Sequence, residues 1–429
     1  MSRVLQLSVW SLLATVFFCA EGARGENWPQ WRGPTNNGLS TEKNMPTEWA
    51  PDKNIAWKLA MPGQGGSTPC LWGDRLFLTS AEGDDLVVWC VSTEGKKLWD
   101  YKLATGNKKA RGDEGNLASP SPSTDGKYVW AMVGTGDLAC FDFDGKVIWK
   151  TNLQDRYGKF IIQFGMSSTP VLDGDRLYLQ LIHGDGKPET REALVLCLDK
   201  MTGSEIWKQG RPSEAHTENE HSYASPIMYR DEKQAFFLTH GADYIVAHDL
   251  ADGHELWRSG GLHSPARYDP TLRLVASPAC VPGLIIVPSA KKGQLLAIVP
   301  GGKGDITDNK EFKVWTYPTT PDVPSPLIVD DLVFLCRENG NLICLERSNG
   351  KEVYQKRTHA DRYRASPVYC DGKIYLTSRD GTVSVCKASR EFELLATNKL
   401  AEDISASPVF ANGRIYLRSF QSLWAIGTK

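Results

Sequence analysis

The stretch Cys197-Leu198-Asp199-Lys200-Met201-Thr202-Gly203-Ser204-Glu205-Ile206-Trp207 is one copy of a unit that recurs through the chain. A short apolar run is followed by a polar turn, a glycine and, four residues after the glycine, a tryptophan. Ala247 to Trp257 repeats the unit, and Gly95 with Trp99, Gly145 with Trp149 and Gly253 with Trp257 keep the same spacing. Two short apolar runs flanking a Gly-containing turn predict a pair of antiparallel strands.

Outward from this unit, a Ser-Pro or Thr-Pro step opens each of eight segments, with the prolines at Pro69, Pro120, Pro170, Pro226, Pro278, Pro326, Pro367 and Pro408. Their separations are 51, 50, 56, 52, 48, 41 and 41 residues. After each proline come a strand-like run, a turn such as Asp173-Gly174, Asp371-Gly372 or Asn412-Gly413, and a second run such as Leu177-Tyr178-Leu179. Four strands of about five residues, with connections of about four to six, consume roughly 40–45 residues, so no room is expected for helices or a second domain. A single twisted sheet cannot cover both of its apolar faces. The predicted fold is therefore all-β, an eight-bladed β-propeller of four-stranded antiparallel blades.

The two ends predict how the ring closes. After Pro408 there is length for only three runs, and the Trp-bearing fourth is missing. Ile55-Ala56-Trp57-Lys58-Leu59 has that pattern, so it is expected to complete the last blade and remove two open sheet edges. Trp57, Trp99, Trp149, Trp207, Trp257 and Trp315 occupy the outer strand, with Tyr354 in place of a seventh and Leu394 or Leu395 of an eighth.

The chain begins with Arg3, an apolar run from Val9 to Ala20, and then Glu21-Gly22-Ala23-Arg24-Gly25, which is the layout of a secretory signal. The expected organisation is a signal peptide at 1–25, a lead-in at 26–54 and the propeller at 55–429, with cleavage after Gly25 or near Ala20 to Gly22. The apolar core is too short to span a membrane, so the mature chain is expected to be secreted or periplasmic, without a transmembrane segment. Cys19 follows Phe17-Phe18 instead of the small residues of a lipid-anchoring signal. Lys+Arg of 49 against Asp+Glu of 51 gives a net charge of -2, which provides no field for nucleic acid or anionic membrane. Cys90, Cys140, Cys197 and Cys344 share one repeat position with Ala247, Ala297 and Ala425 and read as small core residues. Nothing in the spacing of the remaining cysteines fixes a disulfide.

The repeats Cys197 to Trp207 and Ala247 to Trp257 resemble the pyrroloquinoline-quinone (PQQ)-type propeller repeat, and the resemblance runs from about Ile55 to the end of the chain. It implies one of two branches: quinoprotein alcohol or sugar dehydrogenases, or non-catalytic scaffolds similar to BamB. Asn27-Trp28-Pro29-Gln30-Trp31-Arg32-Gly33-Pro34 is similar to the leader of secreted members. The dehydrogenase branch implies PQQ with calcium held by acidic and amide side chains, an adjacent Arg, an aromatic floor and often a vicinal disulfide. No Cys-Cys occurs here, and the repeats use nearly all of the chain.

Other motifs reduce to turns. Gly134-Thr135-Gly136-Asp137-Leu138-Ala139 lies between two strands and does not open a helix, as phosphate binding requires. Asp142-Phe143-Asp144-Gly145 lacks the distal Glu of a calcium loop. With no P-loop, GxSxG or HExxH, no catalytic residue is assigned.

The loops entering each Ser-Pro strand and the hairpins joining second and third strands are expected on one face, around the central funnel. That face would carry His183, His221, Tyr223 and His240, with the three histidines as weak metal candidates. It would also carry a basic arc of Lys291, Lys292, Arg337, Arg362, Arg364 and Arg379, opposite an acidic arc of Glu82, Asp84, Asp85, Asp113, Glu114 and Asp137. The hairpin His183 to Glu192 is a candidate partner contact. The expected function is a non-catalytic, monomeric scaffold that binds a protein or other extracellular ligand through this face, without a resident cofactor. A PQQ-dependent dehydrogenase and an anionic-polysaccharide binder are the alternatives.

Overall fold

The structure is a computed structural model that describes residues 25–108, 116–185, 192–264 and 266–428. The expected signal at 1–25 falls almost wholly on residues outside these. Asp371-Gly372 and Asn412-Gly413 each take positive φ at both positions, as a two-residue hairpin requires, and each joins an inner strand to the next. Hairpins of this kind build eight sheets arranged as the blades of a propeller.

Blade three shows the plan, with strands Val171–Asp173, Arg176–His183, Glu192–Asp199 and Glu205–Gly210 in meander order. Middle strands are buried along almost their whole length because neighbouring blades cover both faces, as in Arg75–Glu82 and Asp85–Ser92 of blade one. Outer strands such as Lys97–Thr105 are largely exposed or half-buried. Ile55–Ala60 pairs antiparallel with Ser422–Ile426, Trp57 opposite Ala425, so the N-terminal strand completes blade eight as expected.

The Gly-plus-four spacing has a packing cause. Trp99 of blade one lies on the turn of blade two, where a Cβ on Gly145 would come within 2.8 Å of the indole, and Trp99 Nε1 donates to the Phe143 carbonyl at 2.8 Å. Trp57, Trp149 and Trp315 dock the same way, each donating at 2.8 Å to a carbonyl of the following blade. Trp257 is the exception. Blade five replaces the compact turn with a longer segment whose strand Gly304–Asp305 pairs with Trp257 and Arg258 on the outer edge of blade four, and the Trp257 indole N–H is left without a partner among the described residues.

Each outer strand also carries a β-bulge at the residue before the aromatic position, which pairs with the small residue of the third strand. In blade seven that register places Ala396 opposite Val385, so neither Leu394 nor Leu395 replaces the tryptophan. The larger Val where other blades have Cys or Ala offsets the smaller outer residue.

The Ser-Pro and Thr-Pro steps form a closed ring. The backbone N–H of Thr68 donates to the Ser121 hydroxyl, Ser121 to Thr169, Thr169 to Ser225 and Ser225 to Ser277, all at 2.8–3.1 Å. Ser277 continues to Ser325, Ser325 to Ser366, Ser366 to Ser407, and Ser407 returns to Thr68, at 3.0–3.1 Å. Blade two therefore uses Ser121-Pro122; the Ser119-Pro120 step that marks it in the sequence lies two residues too early.

The expectation of no helices is also corrected. A short helix, Leu153–Tyr157, capped by the Asn152 side chain, and a 3-10 turn, Thr217–Glu220, occupy insertions. The lead-in packs against the ring: Trp49 stacks on Tyr375 with centroids 6.4 Å apart, and Trp28, Met45 and Trp49 join the core of blades one, seven and eight. No helix among the described residues is long and apolar enough to cross a membrane.

Candidate functional site

Extended backbone sends alternate residues to the same side, so each ring Ser or Thr and the residue two before it both face the propeller axis. From Gly66 in blade one, through Tyr223, Val275 and Arg364, to Ser405 in blade eight, these positions line a central cavity of about 520 Å³. That volume lies within the roughly 300–1,000 Å³ range of small-molecule sites. The deeper layer is the hydroxyl ring, whose residues are no more than 5% exposed. Each ring hydroxyl already accepts one backbone N–H and keeps its own proton and a second lone pair.

Above the hydroxyls, the wall carries Arg273, Lys291 and Arg364 against one carboxylate, Asp322. Among the described lining residues the cations outnumber the carboxylates three to one. Lys291 Nζ lies 3.5 Å from Asp322 and 3.8 Å from Glu338. The Arg273 guanidinium sits 4.7 Å from the Phe164 ring centre and holds Glu218 at 3.0 Å. Tyr223 packs against Phe164, and its hydroxyl accepts the Phe164 N–H at 3.2 Å, leaving the phenol proton to donate.

The predicted residues separate into three groups. Tyr223, Lys291 and Arg364 line the cavity. Arg379 is buried behind it, 4.0 Å from the ring of Phe420, and donates to Ser405 Oγ at 3.0 Å, so it supports two lining residues. Arg337 is half-buried in the blade-six hairpin and does not line the cavity.

His183, His221 and His240 are buried, not solvated loop residues. His240 donates through Nε2 to the Pro288 carbonyl at 2.9 Å, and burial lowers its pKa to about 3. Burial lowers His183 to about 4. His221 Nε2 donates to the Gly184 carbonyl at 3.0 Å. Among the described residues the clusters with metal-ligand geometry are Asp249, Asp252 and His254, and His359, Asp361 and Asp380, so the three histidines are not brought together as a ligand set. Part of the His183 to Glu192 hairpin lies outside the described residues.

Several members of the acidic arc are engaged close by. Asp85 pairs with Lys102 at 3.0 Å and Asp137 with Lys150 at 3.5 Å, while Glu82 accepts the Trp89 indole N–H at 2.7 Å. Asp113 and Glu114 lie outside the described residues. Asp85 and Asp137 are thus paired with lysines, as Arg273 and Lys291 are with Glu218, Asp322 and Glu338, and of the basic arc Lys291 and Arg364 stand on the cavity wall. Arg273, Phe164 and Phe420 were not among the predicted residues. Counting two residues back from each Ser-Pro step would have marked much of the lining.

A calcium-held quinone does not match this lining. Calcium needs several oxygen ligands converging from acids and amides. Among the described lining residues Asp322 is the only carboxylate, and it lies beside Lys291. All nine cysteines among the described residues are free thiols, so no vicinal disulfide covers the cavity.

Residues 41–180 and 134–391 match the family described as outer membrane protein assembly factor BamB. The crystal structure of BamB from Moraxella catarrhalis superposes with a TM-score of 0.60 at 14% identity, covering 86% of this chain and 96% of that one. The computationally designed Ika8 protein gives 0.59 at 11% identity over 87% and 100% of the two chains. A europium-containing methanol dehydrogenase gives 0.53 at 13% identity over 92% and 90%. At these identities the likeness is one of fold. A polyvinylalcohol dehydrogenase from a Pseudomonas species is 23% identical over 194 residues, 43% of this chain, and the match spans 29% of that protein.

Proposed function

The chain belongs to the PQQ-repeat propeller family of outer membrane protein assembly factor BamB, and on that premise we propose that it is an extracytoplasmic, non-catalytic binding propeller whose central funnel receives an acidic ligand. One observation carries the reading: Arg273, Lys291 and Arg364 converge, with a single carboxylate among the described lining residues, on a cavity large enough for a small molecule or the tip of a larger one. Charges at a low-dielectric concave mouth attract and orient an oppositely charged group more strongly than the same charges on a flat surface. The described lining offers no cysteine or histidine and no arrangement of acid, base and nucleophile, so binding is the chemistry it supports. The signal-like N-terminus supports export.

The dehydrogenase reading draws on the name of the polyvinylalcohol dehydrogenase relative, and one pair of assays separates the two. Purified protein is titrated with acidic ligands (citrate, an oligogalacturonate, a sulfated dextran) and, separately, supplied with quinone, calcium and a redox dye in the presence of alcohols. The binding reading expects salt-sensitive binding that falls about tenfold or more in Arg273→Ser and Arg364→Ser, as loss of a charge-assisted hydrogen bond implies. Arg390→Gln, on the outer rim beside Asp331 and Glu346, should leave binding unchanged. Dye reduction at enzymic rates, or no binding by any of these ligands, would overturn it.

A further inference from the structure

The lead-in makes the central channel blind. Pro29 accepts the Thr124 N–H of blade two at 2.8 Å, while Arg32, 1% exposed, donates to the Pro326 carbonyl of blade six at 2.6 Å. In an eight-bladed ring those two blades stand opposite one another, four positions apart. Both contacts fall at or just after the Ser-Pro steps, on the side of the hydroxyl ring away from Arg273 and Arg364. Gln30 and Trp31 must therefore cross the axis beneath the ring, and Trp31 lines the same cavity as the hydroxyls.

The funnel is thus graded. Cations and the aromatic rings of Phe164, Tyr223 and Phe420 stand above, a ring of eight buried hydroxyls lies deeper, and an indole lies at the bottom. Among the described residues the cation beside this floor is Arg32, whose guanidinium lies 5.7 Å from the Trp31 ring centre and donates through Nη2 to the Asn37 and Pro326 carbonyls, while Nε and Nη1 are buried without a partner. Ring hydroxyls that keep one donor and one acceptor valence match groups that also both donate and accept, which is the chemistry of sugar hydroxyls. An indole at the floor offers apolar surface to a sugar ring.

We infer that the blind funnel takes the terminal residue of an acidic saccharide end-on, with the sugar ring over Trp31 among the hydroxyls and the carboxylates of the following residues at Arg273 and Arg364. This rests on the acidic-ligand reading above and makes it narrower. A closed bottom admits a chain end and excludes a chain running through, so one saccharide binds one propeller whatever its length.

Calorimetric titration with oligogalacturonates of two, four and eight residues, using the full secreted chain, tests this. The expected result is one oligomer per propeller at every length, with affinity levelling off once the funnel is filled. Trp31→Ala should weaken binding more than tenfold while Trp31→Phe retains it, both with an unchanged far-ultraviolet circular dichroism spectrum. If Trp31→Ala fails to fold, Thr169→Val and Ser225→Ala, which alter the ring in single steps, serve in its place and should each weaken binding severalfold. Two or more propellers per octamer, or full affinity in these variants, would overturn end-on binding while leaving the acidic-ligand reading intact. Binding of citrate or sulfated dextran without any oligogalacturonate binding would overturn the saccharide assignment, and failure of every acidic ligand would overturn both.

Discussion

The backbone N–H of Ser407 donates to the Thr68 hydroxyl at 3.1 Å, joining residues 339 positions apart and completing a hydrogen-bonded circle at the inner edge of all eight blades. The proline after each hydroxyl residue has no N–H and holds the chain extended. The preceding N–H would otherwise be a buried orphan, and the neighbouring hydroxyl satisfies it.

Removing one acceptor should open the circle. Thr68→Val keeps the shape but leaves the Ser407 N–H unpaired, which should cost about 1–3 kcal/mol in urea unfolding. Ser119→Ala, at the neighbouring Ser-Pro step that is not a ring member, should cost less than about 1 kcal/mol, because its hydroxyl makes a single partly exposed bond to the Asn116 carbonyl. Equal losses at the two sites would argue against the ring as a stabilising element.

The tryptophans should not be equivalent. Trp207, 7% exposed, sits between blades three and four, so Trp207→Ala should cost about 3–5 kcal/mol. Trp149→Phe loses a hydrogen bond to the Lys200 carbonyl as well as ring area, whereas Trp257→Phe loses only area. The first should exceed the second by about 1 kcal/mol in chemical denaturation.

Acid should weaken the fold before the carboxylates titrate. Burial lowers His240 and His248 to about 3 and His183 to about 4, whereas the unfolded chain protonates near 6.5. A lowered folded-state pKa stabilises above the unfolded value, and that contribution is lost as pH falls from about 6.5 towards 3–4. The neutral form of His248 is also fixed by bonding: Thr239 Oγ1 donates to Nε2 at 3.0 Å, and Nδ1 donates to the Gly253 carbonyl at 3.1 Å. The urea midpoint should fall steadily between pH 6.5 and 4.5, and His240→Gln should flatten that slope. A flat wild-type profile would contradict this.

The thiols should be silent. Eight of the nine are buried and Cys280 is half-buried; burial raises Cys90 and Cys280 to about 12. A thiol reagent should label none quickly in the folded chain and all nine in denaturant, and reductant should leave the melting temperature unchanged. Rapid labelling, or a melting temperature lowered by reductant, would contradict this.

Much of the fold was legible because its devices repeat. The Gly-to-Trp spacing exists because each indole needs a side-chain-free turn on the next blade, and the Ser-Pro steps exist because the inner ring needs a hydroxyl at each blade. Where a device was doubled or missing, the sequence was ambiguous. Ser119-Pro120-Ser121-Pro122 offers two registers, and blade seven has no aromatic to mark Ala396.

The site was less legible because it depends on closure. Tyr223, Lys291 and Arg364 could be placed on the loop face, but Arg273 becomes a wall residue only when blade five faces the axis. The floor depends on Pro29 and Arg32 bonding to blades two and six, the latter 294 positions away. Histidines in polar surroundings read as loop residues, whereas His183 and His240 end buried strands facing a neighbouring blade.

The most direct test of the account is where an acidic saccharide sits. In a crystal structure of the protein soaked with trigalacturonate, difference density is expected in the funnel, with one sugar ring against Trp31 and a carboxylate within hydrogen-bond reach of Arg273 or Arg364. Density confined to the outer rim, or an unchanged funnel at saturating ligand, would contradict it.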